Sequence, residues 1–479
     1  MTDYEIVVGL EVHAQLLTQT KLFCADGTEF GKEPNTQVSA ISLGHPGTLP
    51  RLNKEAITMA VKLGLALNCN IVQQNYFARK NYFYPDLPKG YQISQHTTPI
   101  CCNGFTEVSV GNENKRIRIN RIHIEEDAGK SLHGEDSNFT NLDFNRAGMP
   151  LLEIVTEPDI RSADEAFAYV TMLRKLVRQL NVCDGNMEQG SLRCDVNVSV
   201  RKMGDEKLGT RVEIKNLNSI RFIKKAIEYE SKRLIDLDKK GETILQQTRG
   251  LNETDFSTYA IRTKEDEDDY RYFPEPDLPP FFVSNETIDE ITKALPASFT
   301  ESKQELIERF ALTIYDAEQL AADADLLAYF QLLAANTTNF KAASNWVTGA
   351  IKNYLSANDM ELDELHISPK KIARLIALID EGKINYGIAA QQIFPALAIN
   401  PQLDIDVFVE EHNLFLLNSD DLVDSLIDEA LTKHAEKITE YKRGKKGLMS
   451  LFVGEVMKQS KGKADAKLVT QKISEKLKA

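Results

Sequence analysis

The sequence predicts an α+β protein, with a β-rich N-terminal part followed by an all-helical remainder. Two observations predict this order. Short runs in which apolar and polar residues alternate, the pattern of half-buried strands, recur over the first 280 or so residues between Gly, Pro and Asn clusters. From about Thr287 the runs of β-branched residues become few. Helix signals replace them, such as the Ser368-Pro369 start of a helix that Gly382 would cap.

A proline-rich segment marks the transition between the two parts. Residues 270–280 contain four prolines, which neither a helix interior nor a central strand accommodates. Pro395 and Pro401 bracket a second boundary within the helical part. Since 479 residues are too many for one core, the chain should contain several domains. We expect three, at residues 1–292, 293–404 and 405–479.

Composition bounds the class of protein. A hydrophobic content of 42% and a charged content of 27% are typical of a soluble globular protein. No apolar run approaches the roughly 20 residues that cross a bilayer, and the acidic N-terminus leads directly into a strand-like Ile6-Val7-Val8, unlike a secretory signal. The six cysteines are irregularly spaced, so a disulfide framework is not expected. We expect a cytoplasmic protein with no membrane partner.

Charge is distributed unevenly along the chain. The net charge is −14, which by itself argues against a nucleic-acid partner. Residues 441–479, however, carry eleven Lys/Arg and three Asp/Glu, a local balance of +8. A basic tail on an acidic body can bind a polyanion locally, because phosphate contacts need Lys and Arg. A solvated terminal charge cluster is the alternative.

Several predicted strands carry charged residues on one face. Since residues two apart in a strand share a face, each of three strands presents a polar pair opposite an apolar side. The pairs are Glu11 and His13, Arg193 and Asp195, and Glu213 and Lys215. Any one such strand could simply expose a solvated outer face.

Two further segments favour a functional site. Glu153 stands in the apolar run Leu151–Val155, where a charge is costly unless it is paired or bound to a metal. Glu125-Glu126-Asp127 follows the predicted strand that contains His123, and adjacent carboxylates suit a hard cation. An ion pair with arginine and a solvated turn are the respective alternatives. Together with the polar strand faces, these residues suggest a Mg²⁺–phosphate site.

Familiar catalytic motifs are missing from the sequence. It contains neither a Walker-type phosphate loop nor a Gly-x-Gly-x-x-Gly dinucleotide loop, so ATP would bind on a different scaffold. It also lacks a Gly-x-Ser-x-Gly elbow or a serine with a defensible catalytic lysine. Amide hydrolysis by this chain is therefore disfavoured.

Six motifs, spread over the β-rich part, carry a resemblance to a known family. They are Gly9–His13, Arg79–Gln95, Glu125–Lys130, Asn145–Glu153, Gly190–Asn197 and Glu213–Ser219. They closely resemble the B subunit of the tRNA-dependent amidotransferase, the GatB family, and the resemblance extends to the basic tail. It implies a β-rich cradle domain, a helical domain and a small helical tail domain.

The resemblance also implies a reaction and its partners. ATP phosphorylates the side-chain carboxylate of Glu on tRNA(Gln) or of Asp on tRNA(Asn), and ammonia then displaces the phosphate. The ammonia comes through a channel from glutamine that the A subunit, an amidase, hydrolyses, and a small C subunit completes the heterotrimer. The absence of an amidase nucleophile here agrees with that division of labour. The sequence leaves open which misacylated tRNA is used.

Carried over position by position, the resemblance implies roles for individual residues. His13, Glu126 and Glu153 would be the Mg²⁺ ligands, with Glu11 and Asp195 close by. The resemblance also implies two further groups of contacts. Those to nucleotide or acyl phosphate would come from Arg193, Glu213 and Lys215, and those to the outer corner of tRNA from Lys445, Lys446, Lys458 and Lys461.

One departure from the family concerns zinc. Many relatives have a four-cysteine zinc knuckle in the first domain, whereas this chain has Cys24, Asp26, Ser39 and Ser42 at those positions. A single thiolate does not make a structural zinc site, which needs four nitrogen or sulfur ligands. We expect no zinc here, and a loop, Ala25–Leu43, held by packing and hydrogen bonds.

Two other function classes compete with this assignment. A non-catalytic RNA-binding adaptor would not need Glu153 inside an apolar run. A free-standing ATP-dependent carboxylate-amine ligase is disfavoured by the missing phosphate loop and by the basic tail.

Overall fold

The structure of the protein, a computed structural model, describes residues 3–111, 113–133, 139–263, 270–358, 360, 362–416, 420–442, 445–460, 463–464 and 466–478. The chain forms two compact units, one ending at Pro296 and the other beginning at Ala297. The first is rich in β-sheet and the second is helical, which confirms the predicted α+β class.

The first unit contains sixteen strands and four helices among its described residues. The strands are β1 Tyr4–Gln15, β2 Asn70–Ile71, β3 Gln74–Asn75, β4 Ala78–Asn81, β5 Tyr91–Ser94, β6 Cys101–Val110, β7 Glu113–Glu126, β8 Lys130–His133, β9 Thr140–Asp143, β10 Pro150–Thr156, β11 Leu192–Lys202, β12 Val212–Leu217, β13 Gln247–Leu251, β14 Thr258–Thr263, β15 Phe273–Pro274 and β16 Phe281–Phe282. The helices are α1 Lys54–Ala66, α2 Ala163–Gln179, α3 Ile220–Lys239 and α4 Asn285–Ala294.

A nine-stranded sheet dominates this unit, in the order β14-β13-β12-β11-β1-β10-β7-β6-β2. Its neighbours are antiparallel except β12 and β13, which are parallel. On β1, His13 is paired with Arg193 of β11 on one side and with Glu153 of β10 on the other. Glu153 is in turn paired with His123 of β7. The register thus places four polar residues in one row across four strands.

The two faces of the sheet differ because the strands alternate. Val12, Ile154 and Val196 are fully buried and belong to one apolar core, into which Tyr169 of α2 and Ile227 of α3 also pack. Each of these helices begins at a serine whose side chain accepts a hydrogen bond from a backbone N–H of the first turn. The helices therefore cover one face, and the polar row lies on the other.

Smaller sheets complete the unit. A three-stranded sheet has the order β15-β4-β5, in which Phe273 is paired with Arg79. This pairing brings residues near 270 beside residues near 80, although almost 200 positions separate them. β8 pairs with β9, and β3 with β16.

The second unit contains the remaining helices. The α-helices are α5 Phe299–Phe310, α6 Ile314–Ala321, α7 Ala324–Ala334, α8 Phe340–Asn345, α9 Lys352–Asn358, α10 Pro369–Asp380, α11 Tyr386–Ile388, α12 Phe394–Ile399, α13 Ile405–Glu411, α14 Asp420–Lys433, α15 Ala435–Lys442, α16 Met449–Gln459 and α17 Ala466–Lys478. Trp346–Ile351 and Ala389–Ile393 are π-helical, and Leu362–Glu364 and Lys446–Leu448 are 3₁₀ turns. Buried apolar residues of this unit form two clusters, one between residues 306 and 414 and one between residues 423 and 477. The division expected near residue 404 stays a prediction. Within the described part of the chain, no helix combines the length and the apolar character needed to cross a membrane.

Candidate active site

The open face of the nine-stranded sheet holds a cavity of about 430 Å³. Carboxylates, cationic side chains and aromatic rings each contribute to its lining. The lining includes the acidic residues Glu11, Glu125, Glu153 and Glu213, the basic residues Lys80, Arg121 and Lys215, and the rings of His96, His123, Tyr270 and Tyr272. A cavity so dense in charge is suited to a small, charged ligand.

His13 lies at the centre of the acidic part of the site. Its Nε2 atom is 3.7 Å from Glu11 Oε1, 3.8 Å from Glu125 Oε1 and 3.5 Å from Glu153 Oε2. Glu11 is two residues away on the same strand, Glu153 is the cross-strand partner, and Glu125 belongs to β7, one strand farther. Sheet register alone therefore brings together residues from three separate parts of the sequence. We call these four residues the carboxylate cluster.

A second histidine, His123, contacts two of these carboxylates. His123 Nε2 lies 3.3 Å from Glu125 Oε2 and 3.4 Å from Glu153 Oε2. Burial disfavours the charged ring, yet Glu153 and Glu125 outweigh it and raise the pKa of His123 to about 10. Ser94 Oγ donates a hydrogen bond of 3.1 Å to Glu125 Oε2, and Arg121 approaches Glu153 Oε1 to 3.7 Å. These contacts hold Glu125 and Glu153 in fixed positions.

The pKa values within the carboxylate cluster are shifted in different directions. Burial opposes the ionisation of Glu153, but the neighbouring His123 and His13 hold its pKa well below the usual range. Glu11 behaves oppositely, because burial and the charge of Glu153 raise its pKa. The pKa of His13 is raised despite burial, through its contacts with Glu153, Glu125 and Glu11. A bound cation would relieve the repulsion between Glu11 and Glu153.

Lys215 stands beside this cluster with acidic partners of its own. Its Nζ atom donates a 2.7 Å hydrogen bond to Asp195 Oδ2 and lies 3.2 Å from Glu213 Oε1. Thr248 Oγ1 donates to the other oxygen of Glu213 at 2.9 Å. Burial lowers the pKa of Lys215, but Asp195 and Glu213 outweigh this and raise it overall. The side chain is therefore a cation held in place at the edge of the cavity.

Arg193 lies on the same face of the sheet as His13 but is not among the described residues that line the cavity. Its Nη1 atom donates to Asp127 Oδ2 at 2.9 Å and to the Gly190 carbonyl at 3.1 Å. Gln15 Nε2 donates to the same oxygen of Asp127 at 2.9 Å. Burial opposes the charge of Asp127, but Arg193 and Arg146 lower its pKa to about 2. Arg193 is therefore engaged in an ion pair with Asp127, outside the lining of the cavity.

Glu126, expected among the metal ligands, does not join the carboxylate cluster. Adjacent strand residues point to opposite faces, so Glu126 points away from His13 where Glu125 points toward it. Lys89 Nζ donates to both carboxylate oxygens of Glu126, at 2.6 Å to Oε2, and the Ile93 N–H donates to Oε1 at 2.9 Å. Glu125, and not Glu126, is the residue that lies beside His13, and a metal-binding role for Glu126 stays a prediction.

Several cavity residues were given no role on sequence grounds. Lys80 Nζ lies 4.8 Å from the ring centre of Tyr270, and His96 stacks on Tyr272 with ring centres 4.1 Å apart. Both tyrosines belong to the proline-rich segment that served only as a boundary signal. His123 could have been found, because it alternates with apolar residues and therefore shares a strand face with Glu125.

The four positions of the family's zinc knuckle do lie together. Ser42 Oγ donates to Asp26 Oδ2 at 2.6 Å and accepts from the Ser39 N–H at 3.0 Å. Burial raises the pKa of Cys24 to about 11, which keeps this thiol protonated at neutral pH. Lys21, fully buried, donates to the Gln37 carbonyl at 2.7 Å. The loop is held by hydrogen bonds, and the expected absence of zinc stays a prediction.

The four lysines expected at tRNA follow α15 in the sequence. Lys445 is exposed and donates to Glu440 Oε2 at 2.9 Å. Lys458 is exposed in the last turn of α16. Lys446 lies in a 3₁₀ turn, but its side chain is outside the described part of the structure, as is the whole of Lys461.

The sheet and its cavity thus gather acidic and basic side chains at one site, an arrangement typical of an enzyme that acts on charged groups. The profile of the GatB/GatE catalytic domain matches residues 6–289, and that of a further GatB domain matches residues 328–477. The chain belongs to the GatB family.

Curated relatives match along nearly the whole chain. A protein of Thermodesulfovibrio yellowstonii is 45% identical over 476 residues, which cover 99% of this chain and 100% of the relative. A protein of Persephonella marina is 45% identical over 477 residues with the same two coverages. One of Ectopseudomonas mendocina is 46% identical over 482 aligned residues, with 99% coverage of both chains. Each is described as the B subunit of aspartyl/glutamyl-tRNA(Asn/Gln) amidotransferase.

Proposed function

We propose that this chain is the ATP-dependent transamidase subunit of a glutamine-dependent amidotransferase. Its substrates are Glu-tRNA(Gln), Asp-tRNA(Asn) or both. ATP transfers its terminal phosphoryl group to the side-chain carboxylate of the misacylated residue, which gives ADP and an acyl phosphate. Ammonia then displaces phosphate to form the amide. The proposed reaction belongs to the cytoplasm, where translation occurs.

The observation that carries this proposal is the convergence of Glu11, Glu125 and Glu153 around His13. Buried carboxylates repel one another, so holding them close together lowers the stability of the fold. An adaptor that only binds RNA has no use for such a cluster. A protein that must bring ATP and a second carboxylate into contact does have a use for it, because both substrates are anionic.

The carboxylate cluster fits a divalent cation. Two sets of residues, Glu11–His13–Asp195 and His13–Glu125–Glu153, each have ligand atoms within 4.8 Å of one another. Carboxylate oxygens with one imidazole nitrogen suit Mg²⁺ or Mn²⁺. When bound, Mg²⁺ supplies stabilisation of the negative charge on a transferring phosphoryl group. We therefore assign His13, Glu125 and Glu153 to the ion, with Glu11 and Asp195 beside it.

Cationic side chains would position the anionic substrates. Lys215 is fixed by Asp195 and Glu213 at one end of the cavity, within reach of phosphate oxygens placed there. Arg121 and Lys80 lie across the cavity from it and could hold the substrate carboxylate. Phosphoryl transfer needs little more than such positioning and charge stabilisation.

Two partner subunits would supply ammonia and complete the complex, and the C-terminal segment of this chain would hold the tRNA. The ammonia would come from the amidase, the A subunit of the heterotrimer, which the small C subunit completes. The basic segment, residues 441–479, would bind tRNA through phosphate contacts from Lys445, Lys446, Lys458 and Lys461. Recognition there would depend on RNA shape more than on base sequence.

The test is amide formation by the reconstituted heterotrimer. Both misacylated tRNAs are supplied with ATP, Mg²⁺ and glutamine, and the released amino acid is identified after deacylation. Glutamine or asparagine should appear together with ADP, and ammonium chloride should replace glutamine. The proposal would fail if neither tRNA yielded an amide, or if the amide formed without ATP.

A further inference from the structure

The open face of the sheet continues past Lys215 through two more strands. Lys215 of β12 is paired with Gly250 of β13, and Gly250 with Tyr259 of β14. Cross-strand partners share a face, so all three lie on the same side as the carboxylate cluster. The intervening Arg249 points the other way, toward Glu230 of α3, at 3.4 Å. Tyr259 therefore lies on the open face of the sheet and not among the helices.

The ring of Tyr259 covers the backbone of its neighbouring strand. A Cβ atom at Gly250 would come within 2.6 Å of Tyr259 Cζ and 2.7 Å of its hydroxyl oxygen. Only glycine leaves room for the ring in this position. The ring thus leans from β14 across β13, toward the strand that carries Lys215. Even so, Tyr259 remains 53% exposed, so its outer face is open.

Packing over a glycine could serve the sheet alone, since an aromatic ring compensates for a missing side chain. Two features of Tyr259 are not explained by packing over Gly250 alone. The ring extends the row that begins with the carboxylate cluster and continues through Lys215, and its exposed face lies on the cavity side of the sheet. An exposed ring two strands from a fixed cation, on the same face of the sheet, resembles the way nucleotides are bound, with the base stacked and the phosphates neutralised.

We propose that Tyr259, lying over Gly250, is a stacking platform for the adenine base of a substrate bound along this face. The inference rests on the proposed function, which supplies two adenine-containing substrates: ATP and the terminal adenosine of tRNA. From β1 to β13 are three strand spacings, about 14 Å at about 4.8 Å each. A base linked through ribose to a reacting group at the carboxylate cluster would span this part of the sheet.

The experiment compares four variants in the reconstituted heterotrimer. Tyr259→Ala removes the ring, Tyr259→Phe keeps it, and Gly250→Ala displaces it. Tyr229→Ala is the matched control, because Tyr229 is 40% exposed on α3, which packs against the other face of the sheet. KM and kcat are measured separately for ATP and for the misacylated tRNA, and thermal unfolding confirms that each variant folds.

Tyr259→Ala should raise the KM for one adenine substrate by about 5-fold to 100-fold, the range expected for one stacked base, with kcat nearly unchanged. Gly250→Ala should give the same pattern, whereas Tyr259→Phe and Tyr229→Ala should resemble the wild type. A rise confined to ATP assigns the platform to the nucleotide, and one confined to tRNA assigns it to the terminal adenosine.

Unchanged KM values for both substrates in Tyr259→Ala would overturn the proposal. So would a Tyr259→Phe variant as defective as Tyr259→Ala, because the hydroxyl and not the ring would then matter. Failure of the proposed function has a different signature, since the wild-type heterotrimer itself would form no amide.

Discussion

The cavity of the first unit and the basic segment at the end of the second both concentrate charge, but in different ways. In the cavity, Glu11, Glu125 and Glu153 converge on His13 and are largely buried. In the basic segment, Lys445 and Lys458 are exposed, and some lysines contact acidic neighbours, as Lys476 contacts Asp428 at 2.6 Å.

This difference between a buried, convergent site and a dispersed basic surface predicts how each region should respond to mutation. A buried convergent site depends on every member, since removing one leaves the others uncompensated. A dispersed basic surface acts through its summed charge, so single changes should have small effects that depend on salt. Substitutions in the two regions therefore test the contrast.

The largest effect is expected from Glu153→Gln and Glu125→Gln. Each substitution preserves shape and removes one charge from the carboxylate cluster. Loss of even an indirect partner of a metal costs about 10-fold to 100-fold, so loss of a ligand should lower amide formation by more than about 100-fold. The affinity for tRNA, measured by filter binding, should remain within about twofold of the wild type.

Glu107→Gln provides the control for charge removal alone, because Glu107 contacts the exposed Arg116, at 3.2 Å, on the outer part of the sheet. It should leave turnover unchanged. Near-normal turnover in both cluster variants would remove the catalytic assignment and favour the adaptor.

Glu126→Gln should affect stability instead of metal binding. Glu126 is buried and receives hydrogen bonds from Lys89 and from the Ile93 N–H. Breaking a buried ion pair by removing one partner costs about 3–5 kcal/mol, so the unfolding temperature of the variant should fall clearly below that of Glu125→Gln. Differential scanning calorimetry measures this. Equal unfolding temperatures for the two variants would contradict the different environments assigned to these neighbours.

Replacing lysines of the basic segment should reduce tRNA affinity in small steps. Replacing Lys445, Lys446, Lys458 and Lys461 with Ala should weaken tRNA binding and lower the log–log salt slope by about 0.7–0.9 for each phosphate interaction that the substitutions remove. Turnover at saturating tRNA should change little, so that the defect appears in KM.

The paired lysines of α17 are a matched control for this basic segment. Lys472 and Lys476 contact Asp424 and Asp428, so their replacement should reduce the slope less than replacement of the four proposed lysines. An unchanged slope in the fourfold variant would make the basic segment a solvated end and move the tRNA contacts elsewhere.

The smallest effect concerns zinc. With Asp26, Ser39 and Ser42 at the knuckle positions, the purified protein should contain no stoichiometric zinc, and a chelator should leave its unfolding temperature unchanged. Elemental analysis and calorimetry test the two statements. About one zinc per chain would contradict the first.

Much of the fold could be predicted from alternation and from turn and cap signals. The alternating polar faces of β1, β11 and β12 are present as expected, because burial of one face fixes the period of a strand. The helix predicted after Ser368 begins at Pro369 and is followed by Gly382 with a left-handed φ of 67°. Both signals act within a few residues, which is why a single sequence reveals them.

The site was harder to predict, because it depends on contacts between distant segments. The resemblance assigned the metal to Glu126, whereas the one-residue alternation of β7 puts Glu125 beside His13. The aromatic side of the cavity arises from the pairing of Phe273 with Arg79, and Tyr259 from the pairing of β13 with β14. No local pattern specifies such pairings, since register follows from the whole sheet.

Cation binding by the intact heterotrimer tests the central claim most directly. Mn²⁺ can be followed by its electron paramagnetic resonance signal, without substrates and without turnover, in the wild type and in Glu125→Gln, Glu153→Gln and Glu126→Gln. We predict that the wild type binds Mn²⁺ and that Glu125→Gln and Glu153→Gln lose at least about 10-fold in affinity, while Glu126→Gln retains it. If Glu126→Gln lost the ion and Glu125→Gln kept it, the assignment of the carboxylate cluster would be contradicted.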